Sequence, residues 1–522
     1  AWLGSVRLGT EPGFHAAPFP LTLETTDPGA VIRYTLDGSE PTASSREYSG
    51  ALMITNRGST ANVLSAISTG PGWQPPSGLV FKGTVVRARA FREDALAGPG
   101  VSATYFVHPA GRGRYTLPVV SLTTDPRHFF DPAVGIYVPG LAPGGNYAQV
   151  GDTWERPVHV ELFETNGLRV LAQDAGVRIH GNTSFGFPIK ALRLHARNQR
   201  GTGPFRYRVF PGLDIDSFER LLLRPSGHDQ QLTMMRDGLM QGLVRELGLD
   251  LQGYRPAVLF VNGEYWGLHN LQEAFEKQYF ASHHPGVDAE AVEYLEGYPP
   301  GMFAYEGDAT AYQQLLDGLV REDIRRPETY AWAGERMELA NYRDYKIAEI
   351  FHYRWDIGNH RVWRPRTSDG RFRWILFDCD VGFGGFWSEP QPWSFDMLRA
   401  VLEPTGTLHG HNNEATVFLL RTLLRNETFR EDFIRRFSDL LNSTLETGRV
   451  RRFIGAMVAE IAPEMQEHLR RWRAPSTMAE WDRQVQLLRT FADLRPRYVR
   501  DHLRARFSLG ADARLTLAVS HA

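Results

Sequence analysis

The run Trp374-Ile375-Leu376-Phe377-Asp378-Cys379-Asp380-Val381-Gly382-Phe383-Gly384 leads an apolar stretch into two carboxylates at i and i+2 and then into glycines. Holding such a pair at the end of a buried segment is costly unless donors or a cation compensate it, and Mg2+ is a natural compensator for oxygen ligands. Upstream, in Arg354-Trp355-Asp356-Ile357-Gly358-Asn359-His360, Asp356 and Asn359 stand at i and i+3, the spacing that puts two side chains on one face of a helical turn. Phosphoryl transfer uses these residue types: a carboxylate that orients and deprotonates the acceptor hydroxyl, and an amide and a second carboxylate on the metal beside the phosphates. The chain order is Lys, Asp, Asn, then Asp-x-Asp, which follows protein-kinase logic without a His-Arg-Asp or Asp-Phe-Gly motif. Two plainer readings of the acidic segment are a solvated turn after an edge strand and a 12-residue calcium loop, Asp378 to Glu389. The loop fits poorly, because Gly382 and Phe383 fill its fifth and sixth positions and a strand precedes it.

Only four of the 58 basic residues are lysines: Lys82, Lys190, Lys277 and Lys346. A lysine kept in so arginine-rich a chain suits a place that needs a compact ammonium, such as a phosphate contact. Lys190 follows the loop Gly181-Asn182-Thr183-Ser184-Phe185-Gly186 and opens the strand-like Ala191-Leu192-Arg193-Leu194-His195. Backbone amides of such a loop can cradle phosphates, although Gly and Asn also build ordinary hairpin turns. The other lysines are expected on the surface.

These residues carry a resemblance to the spore-coat CotH kinase family over about residues 117 to 505. It rests on Val177-Arg178-Ile179-His180-Gly181-Asn182-Thr183-Ser184 with Lys190, Met235-Arg236-Asp237, Val261-Asn262-Gly263-Glu264-Tyr265-Trp266-Gly267-Leu268 with Glu273, Asp356 with Asn359, and Phe377-Asp378-Cys379-Asp380 with Phe383-Gly384. The resemblance implies an atypical protein kinase that transfers the ATP γ-phosphoryl to Ser or Thr of a protein with Mg2+ or Mn2+. It casts Asp356 and Lys190 as catalytic, and Gly181, Asn182, Thr183, Ser184, Lys190 and Glu273 as nucleotide contacts. Asn359, Asp378 and Asp380 become metal ligands, with Asp380 either a second ligand or exchanging roles with Asp378. The family often shows a paired Asn where this chain has Asn359-His360, which leaves an inactive member as the alternative.

Residues 1 to 110 read as all-β, with short alternating runs such as Val31 to Thr35 and Thr84 to Ala90 between Gly, Pro, Asp and Ser clusters. Ile32-Arg33-Tyr34-Thr35-Leu36-Asp37-Gly38-Ser39-Glu40-Pro41-Thr42 and the closing Ala103-Thr104-Tyr105-Phe106-Val107 resemble the chitobiase/β-hexosaminidase carboxy-terminal-type domain. That implies an immunoglobulin-like accessory sandwich, a secreted or envelope-associated setting, and contact with carbohydrate or a surface partner. Residues 111 to 505 are expected to form a two-lobed α+β kinase-like domain. Its first lobe has strands at Pro157 to Phe163, Gly176 to His180, Ala191 to His195 and Pro256 to Val261, with a helix near Leu232 to Leu247. The second lobe is mostly helical over 326–362 and 414–505, with Ile375-Leu376-Phe377 as an inserted strand. Residues 506 to 522 form a tail, in which Arg514 to Val519 alternate like the start of a truncated strand.

At 522 residues, 42% hydrophobic and 23% charged, the chain is long enough for two or three packed domains. A formal charge of −2 supplies no general field for nucleic acid or anionic lipid. No apolar run reaches the ~18 residues of a membrane span. The one cysteine, Cys379, cannot form an internal disulfide, so either redox setting is compatible. The chain opens at Ala1 with no Met and no leader pattern, which is expected equally if a signal peptide has been removed or lies outside this sequence, and so decides nothing.

Several other groups have bland first readings. His409-Gly410-His411-Asn412-Asn413 lacks a third ligand for a metal clip and is expected to be a solvated loop, with Asn412 or Asn413 toward the cleft. Trp266, Trp355, Trp363, Trp374 and Trp387 are expected in the core rather than on a sugar platform. Arg236-Asp237 reads as an internal ion pair or a functional one. Serine-hydrolase elbows, zincin helices and Walker loops are absent, and a carbohydrate-active enzyme remains a third reading.

Overall fold

The structure, a computed structural model, describes residues 2–384, 390–406, 408 and 411–511. The chain divides into two compact units that interleave in sequence. One comprises Ala1–Met234, Gln252–Ser282 and Ala456–Gln484, and the other Met235–Leu251, His283–Gly455 and Val485–Ala522.

The first unit begins with a β-rich domain. Thr84–Phe91 and Val101–Val107 form the middle of a five-stranded sheet, flanked by Val31–Thr35 and Arg46–Glu47 on one side and Gly13–His15 on the other. Alternate residues Ile32, Tyr34, Val86, Ala88 and Ala90 point into a core that also takes Leu21, Leu23 and Ile54 from two two-stranded sheets. At Asp37-Gly38 the Asp37 carboxylate accepts from the Ser39 N–H at 2.9 Å, and Gly38 adopts φ +93°, which glycine tolerates.

The expected α+β first lobe is instead a closed seven-stranded barrel, which is neither a sandwich nor an open sheet. Its strands run in the order Val119–Thr123, Arg156–Phe163, Arg169–His180, Ala191–His195, Arg220–Arg224, Glu264–Glu273 and Tyr254–Val261. The last pairs in parallel with the first, Val119 opposite Val258. Period-two alternation sends Val120, Leu122, Val158, Val160, Leu192, Leu194, Leu221, Leu223, Ala257 and Leu259 into the barrel interior. The opposite face of the same strands is covered too: Phe260 packs on Phe106 of the β-rich domain with ring centroids 4.7 Å apart, and the Ser121 and Thr104 hydroxyls meet at 2.8 Å. Strands buried on both faces read as short apolar runs, so the pattern marked the strands but not their closure.

The second unit holds a four-stranded antiparallel sheet in the order Gly301–Glu306, Val292–Tyr298, His360–Pro365, Arg373–Trp374, together with the helices Thr310–Arg321, Pro327–Gly334, Leu339–Phe351, Glu414–Leu423 and Glu427–Leu441. The carboxy-terminal region is therefore largely helical, as expected. Three boundaries differ. The helical stretch before Asp356 stops at Phe351, with Tyr353 in the left-handed region at φ +52°, and 360–365 is a strand. The ladder at Ile375-Leu376-Phe377 is reduced to a single bridge between Ile375 and Asp250, although all three side chains are buried. The helix near 232–247 is shortened to Arg236–Leu243, preceded by Met234 at φ +65°. Among the described residues no helix is long and apolar enough to cross a membrane. The strand expected at Arg514 to Val519 lies outside the described residues.

Candidate active site

Sheet register in the second unit builds the acidic cluster. Gly297 pairs with His360, so the end of Val292–Tyr298 and the beginning of His360–Pro365 lie side by side, bringing Tyr298 to the turn that carries Asp356 and Asn359. On the other side of that strand Val362 pairs with Trp374, and the Ile375 N–H donates to the Arg361 carbonyl at 3.0 Å. Continuing this antiparallel course brings Asp378 back beside Asn359.

Asp356 and Asn359 are close because of a turn rather than the expected helical face: the Asn359 N–H donates to the Asp356 carbonyl at 3.2 Å. The Asn359 amide donates to Asp356 Oδ2 and to Asp378 Oδ2, both at 3.2 Å. The Tyr298 hydroxyl donates to Asp356 Oδ2 at 3.2 Å. His411 Nδ1 stands 2.8 Å from Asp356 Oδ1, close enough for an ion pair but not aligned as a hydrogen bond. Burial first, and then the Asp356 and Asp378 carboxylates, push the Tyr298 phenol above its ordinary range, so the hydroxyl keeps its proton and acts as a donor. Asp380 is buried two residues beyond Asp378.

The cluster rests on a buried charge network. Glu349, on the helix Leu339–Phe351, accepts from Lys346 Nζ at 2.6 Å, Arg354 Nη1 at 2.9 Å and the Tyr345 hydroxyl at 3.1 Å. Arg354 in turn donates to the Asp356 carbonyl at 2.8 Å and the Asn359 carbonyl at 3.1 Å, fixing both ends of the acidic turn. Asp237 accepts from the Cys379 N–H at 2.8 Å and from the Gln241 amide at 3.1 Å, and so ties the Asp-x-Asp segment by its backbone to the helix Arg236–Leu243. Asp378 itself sits at φ +52°, a conformation that Asp tolerates better than most residues and that recurs at functional turns.

The remaining candidate residues belong to the first unit. Gly181, Asn182 and Thr183 are exposed in the connection between two barrel strands, with Ser184 starting a short 3-10 turn. Lys190 lies beneath this loop, fully buried, its ammonium donating to the Phe185 and Phe187 carbonyls at 2.8 Å each and facing the Tyr147 ring at 3.9 Å. Burial pulls its pKa down to about 7, while the carbonyls and the ring face favour the charged form. Glu273 is not brought to Lys190. It pairs opposite Leu221, which pairs opposite Leu194, four residues or about 13 Å along the strand from Lys190. Its Oε2 accepts from the Gly253 N–H at 2.7 Å.

The Asn262-Gly263-Glu264 segment is architectural. Asn262 at φ +47° and Gly263 at φ +80° make the tight turn between two barrel strands, and Glu264 accepts from the N–H groups of Val63, Leu64 and Ser65. Lys82 and Lys346 are buried, against the expectation that the other lysines are at the surface. Asn412 and Asn413 serve structure. Asn412 accepts from the Thr405 N–H at 2.6 Å, and Asn413 caps the helix Glu414–Leu423. Their neighbour His411 is the residue that reaches Asp356. His409, Trp387 and the end of the calcium-loop alternative lie outside the described residues. Trp266, Trp363 and Trp374 are buried, as core packing predicts, and His360 is buried with its imidazole held neutral by desolvation. Tyr298 and Glu349 carried no sequence signal, Arg354 only its place in the Arg354-to-His360 run, and His411 only the His-Gly-His pattern read as a solvated loop, because their relation to Asp356 arises from sheet pairing and chain return.

Sequence comparison gives the same family. The pattern of the CotH kinase protein matches residues 177–499, more than half of the chain, and that of the chitobiase/beta-hexosaminidase C-terminal domain matches residues 10–80. The chain belongs to the CotH kinase family, with a β-rich amino-terminal domain of the chitobiase type. No curated protein matches it.

Proposed function

We propose that the chain is a metal-dependent protein kinase, transferring the ATP γ-phosphoryl group to Ser or Thr of a protein substrate at the Asp356–Asn359–Asp378 cluster. The observation that carries this reading is one amide within 3.2 Å of two carboxylates from separate segments. The donors are hard oxygens, which suit Mg2+ or Mn2+ rather than thiophilic ions. Among the described residues no three His, Cys, Asp or Glu side chains close into a cage. Mg2+ bound through one or two carboxylates, with its remaining positions left to water and phosphate, matches such a set.

Asn359 and Asp378 are assigned to the metal, the Asn359 side chain turning its oxygen inward, with Asp380 as the second carboxylate of the pair. When bound, the ion would neutralise charge on the phosphates. Asp356 orients the acceptor hydroxyl and takes its proton, while Tyr298 and His411 fix the carboxylate against rotation. Because the transferring phosphoryl group forms a loose transition state, positioning and charge neutralisation supply most of the catalysis. Gly181 to Thr183 are exposed, and the family resemblance assigns the loop Gly181 to Ser184 to phosphate. Lys190 secures that loop from below, and Glu273 braces the Gly253 segment. A secreted or envelope setting and carbohydrate contact through the β-rich domain fit the accessory family.

The test is incubation with labelled ATP and Mg2+ or Mn2+, with phosphosites located by mass spectrometry. Asp356→Asn should keep Mg·ATP-dependent thermal stabilisation and lose transfer, whereas Asp378→Asn should lose both. Transfer that persists in both variants rejects the site.

A further inference from the structure

Arg471, in the last turn of the helix Thr447–Trp472, has no accessible surface. Among the described residues its Nε, Nη1 and Nη2 have no hydrogen-bond partner. The guanidinium lies instead against two indole rings, its Cζ 3.6 Å from the Trp472 centroid and 4.6 Å from that of Trp266, both in the apolar core of the barrel. Contact with aromatic faces offsets part of the cost of burying a cation, but the N–H fork still lacks an acceptor, and buried charges in proteins are paired or hydrogen-bonded. Other buried cations of this chain follow that rule. Lys190 donates to two carbonyls, and Arg495 donates to the carbonyls of Ile350, Phe351, Trp393 and Phe395.

Countercharge is missing as well. Glu467, one turn earlier on the helix, is taken by Arg114 at 2.6 Å. The field of Glu264 acts on Arg471, but the Glu264 oxygens accept from the N–H groups of Val63, Leu64 and Ser65 at 2.8, 3.1 and 2.7 Å, and buried Lys82 draws on the same carboxylate. Burial pushes the Tyr137 phenol up to about 12 and raises that of Tyr265 too, so both keep their protons and bring no negative charge. Arg471 itself is pulled down to about 9 by burial, which leaves it charged at neutral pH. The turn that carries it is not a frayed end. His468 Nδ1 accepts from the Leu268 N–H at 3.0 Å, the Trp472 indole donates to the Trp266 carbonyl at 2.6 Å, and the Arg470 carbonyl accepts from the Ser77 N–H at 2.8 Å.

We propose that the Arg471 guanidinium holds a small monovalent anion of the halide class, which completes the seam between the end of this helix and the barrel strand Glu264–Glu273. An anion brings both the acceptor and the charge that the guanidinium lacks, whereas a water molecule would accept hydrogen bonds and leave the charge uncompensated. The surroundings supply one positive charge and two indole faces. That set matches a single negative charge; a phosphate or sulfate dianion would leave one of its own charges buried and unpaired. Bound only by the folded chain, the ion stabilises the helix end against the barrel.

The test takes the full chain, dialysed exhaustively into sodium gluconate, whose anion is too large for a buried site, and returns chloride or bromide at fixed ionic strength. The thermal midpoint followed by tryptophan fluorescence should rise by a constant step for each decade of halide above half-saturation, the signature of one ion per chain, and stay level in gluconate. Arg471→Met keeps the aliphatic bulk without the charge, and its midpoint should be the same in both salts. Crystals of the unaltered chain grown with bromide as the sole halide supply a second measurement should that variant fail to fold, and an anomalous peak is expected at hydrogen-bonding distance from the Arg471 nitrogens. A midpoint indifferent to halide, with no bromide peak, assigns the site to ordered water and overturns the anion. An equal rise in Arg471→Met places the halide elsewhere and overturns it too. A bromide peak at Arg471 with a level midpoint marks an adventitious ion only, which also overturns it.

Discussion

Glu349 has no exposed surface and is surrounded by two cations and a phenol, so its removal tests how the acidic turn is held. In Glu349→Ala, Lys346 and Arg354 stay buried while their shared counter-charge is gone. Breaking a buried ion pair from one side costs about 3–5 kcal/mol, because a desolvated charge is left behind. Arg354 retains its bonds to the Asp356 and Asn359 carbonyls, which places the larger share of the penalty on Lys346. The double variant Lys346→Met/Glu349→Ala should therefore be more stable than Glu349→Ala alone, by about 1–3 kcal/mol of coupling. Urea denaturation followed by tryptophan fluorescence and far-ultraviolet circular dichroism measures both, and Mg·ATP affinity of the folded single variant reports on the turn. A loss below about 1 kcal/mol in Glu349→Ala, or no recovery in the double variant, would refute the network as the support of the site.

Asn359→Asp places a third carboxylate within hydrogen-bond reach of the other two, so it should melt several degrees below the wild type without metal and regain most of the loss in millimolar Mg2+; a deficit indifferent to Mg2+ removes the metal assignment. Lys190 gives a pH signature. Its folded pKa of about 7 lies below the ~10.4 of an unfolded lysine, so the unfolded chain binds the extra proton between these values, and stability gains with rising pH across that window. Lys190→Met deletes this contribution and should compare more favourably with the wild type at pH 7 than at pH 9. Parallel stability–pH curves would show that the carbonyls and the Tyr147 ring hold the ammonium charged throughout.

The amino-acid sequence by itself determined the chemistry-bearing types and the short elements. Asp356, Asn359 and the Asp-x-Asp pair stood out because carboxylates following an apolar run demand compensation, and that demand is local. The alternation from Val31 to Thr35 and the apolar run from Pro256 to Val261 likewise announced strands, the first by its period of two and the second by its strand length, although the observed second strand begins at Tyr254. Only the tertiary structure decided how these parts meet. Barrel closure depends on the parallel pairing of Val119–Thr123 with Tyr254–Val261, two strands separated by more than 130 residues, and no local pattern encodes that choice. The same holds for Tyr298 and His411, which reach Asp356 through strand register and chain return. Lys190 shows the limit most clearly: its rarity marked it, but its place beneath its own loop follows from burial, a property of the whole fold.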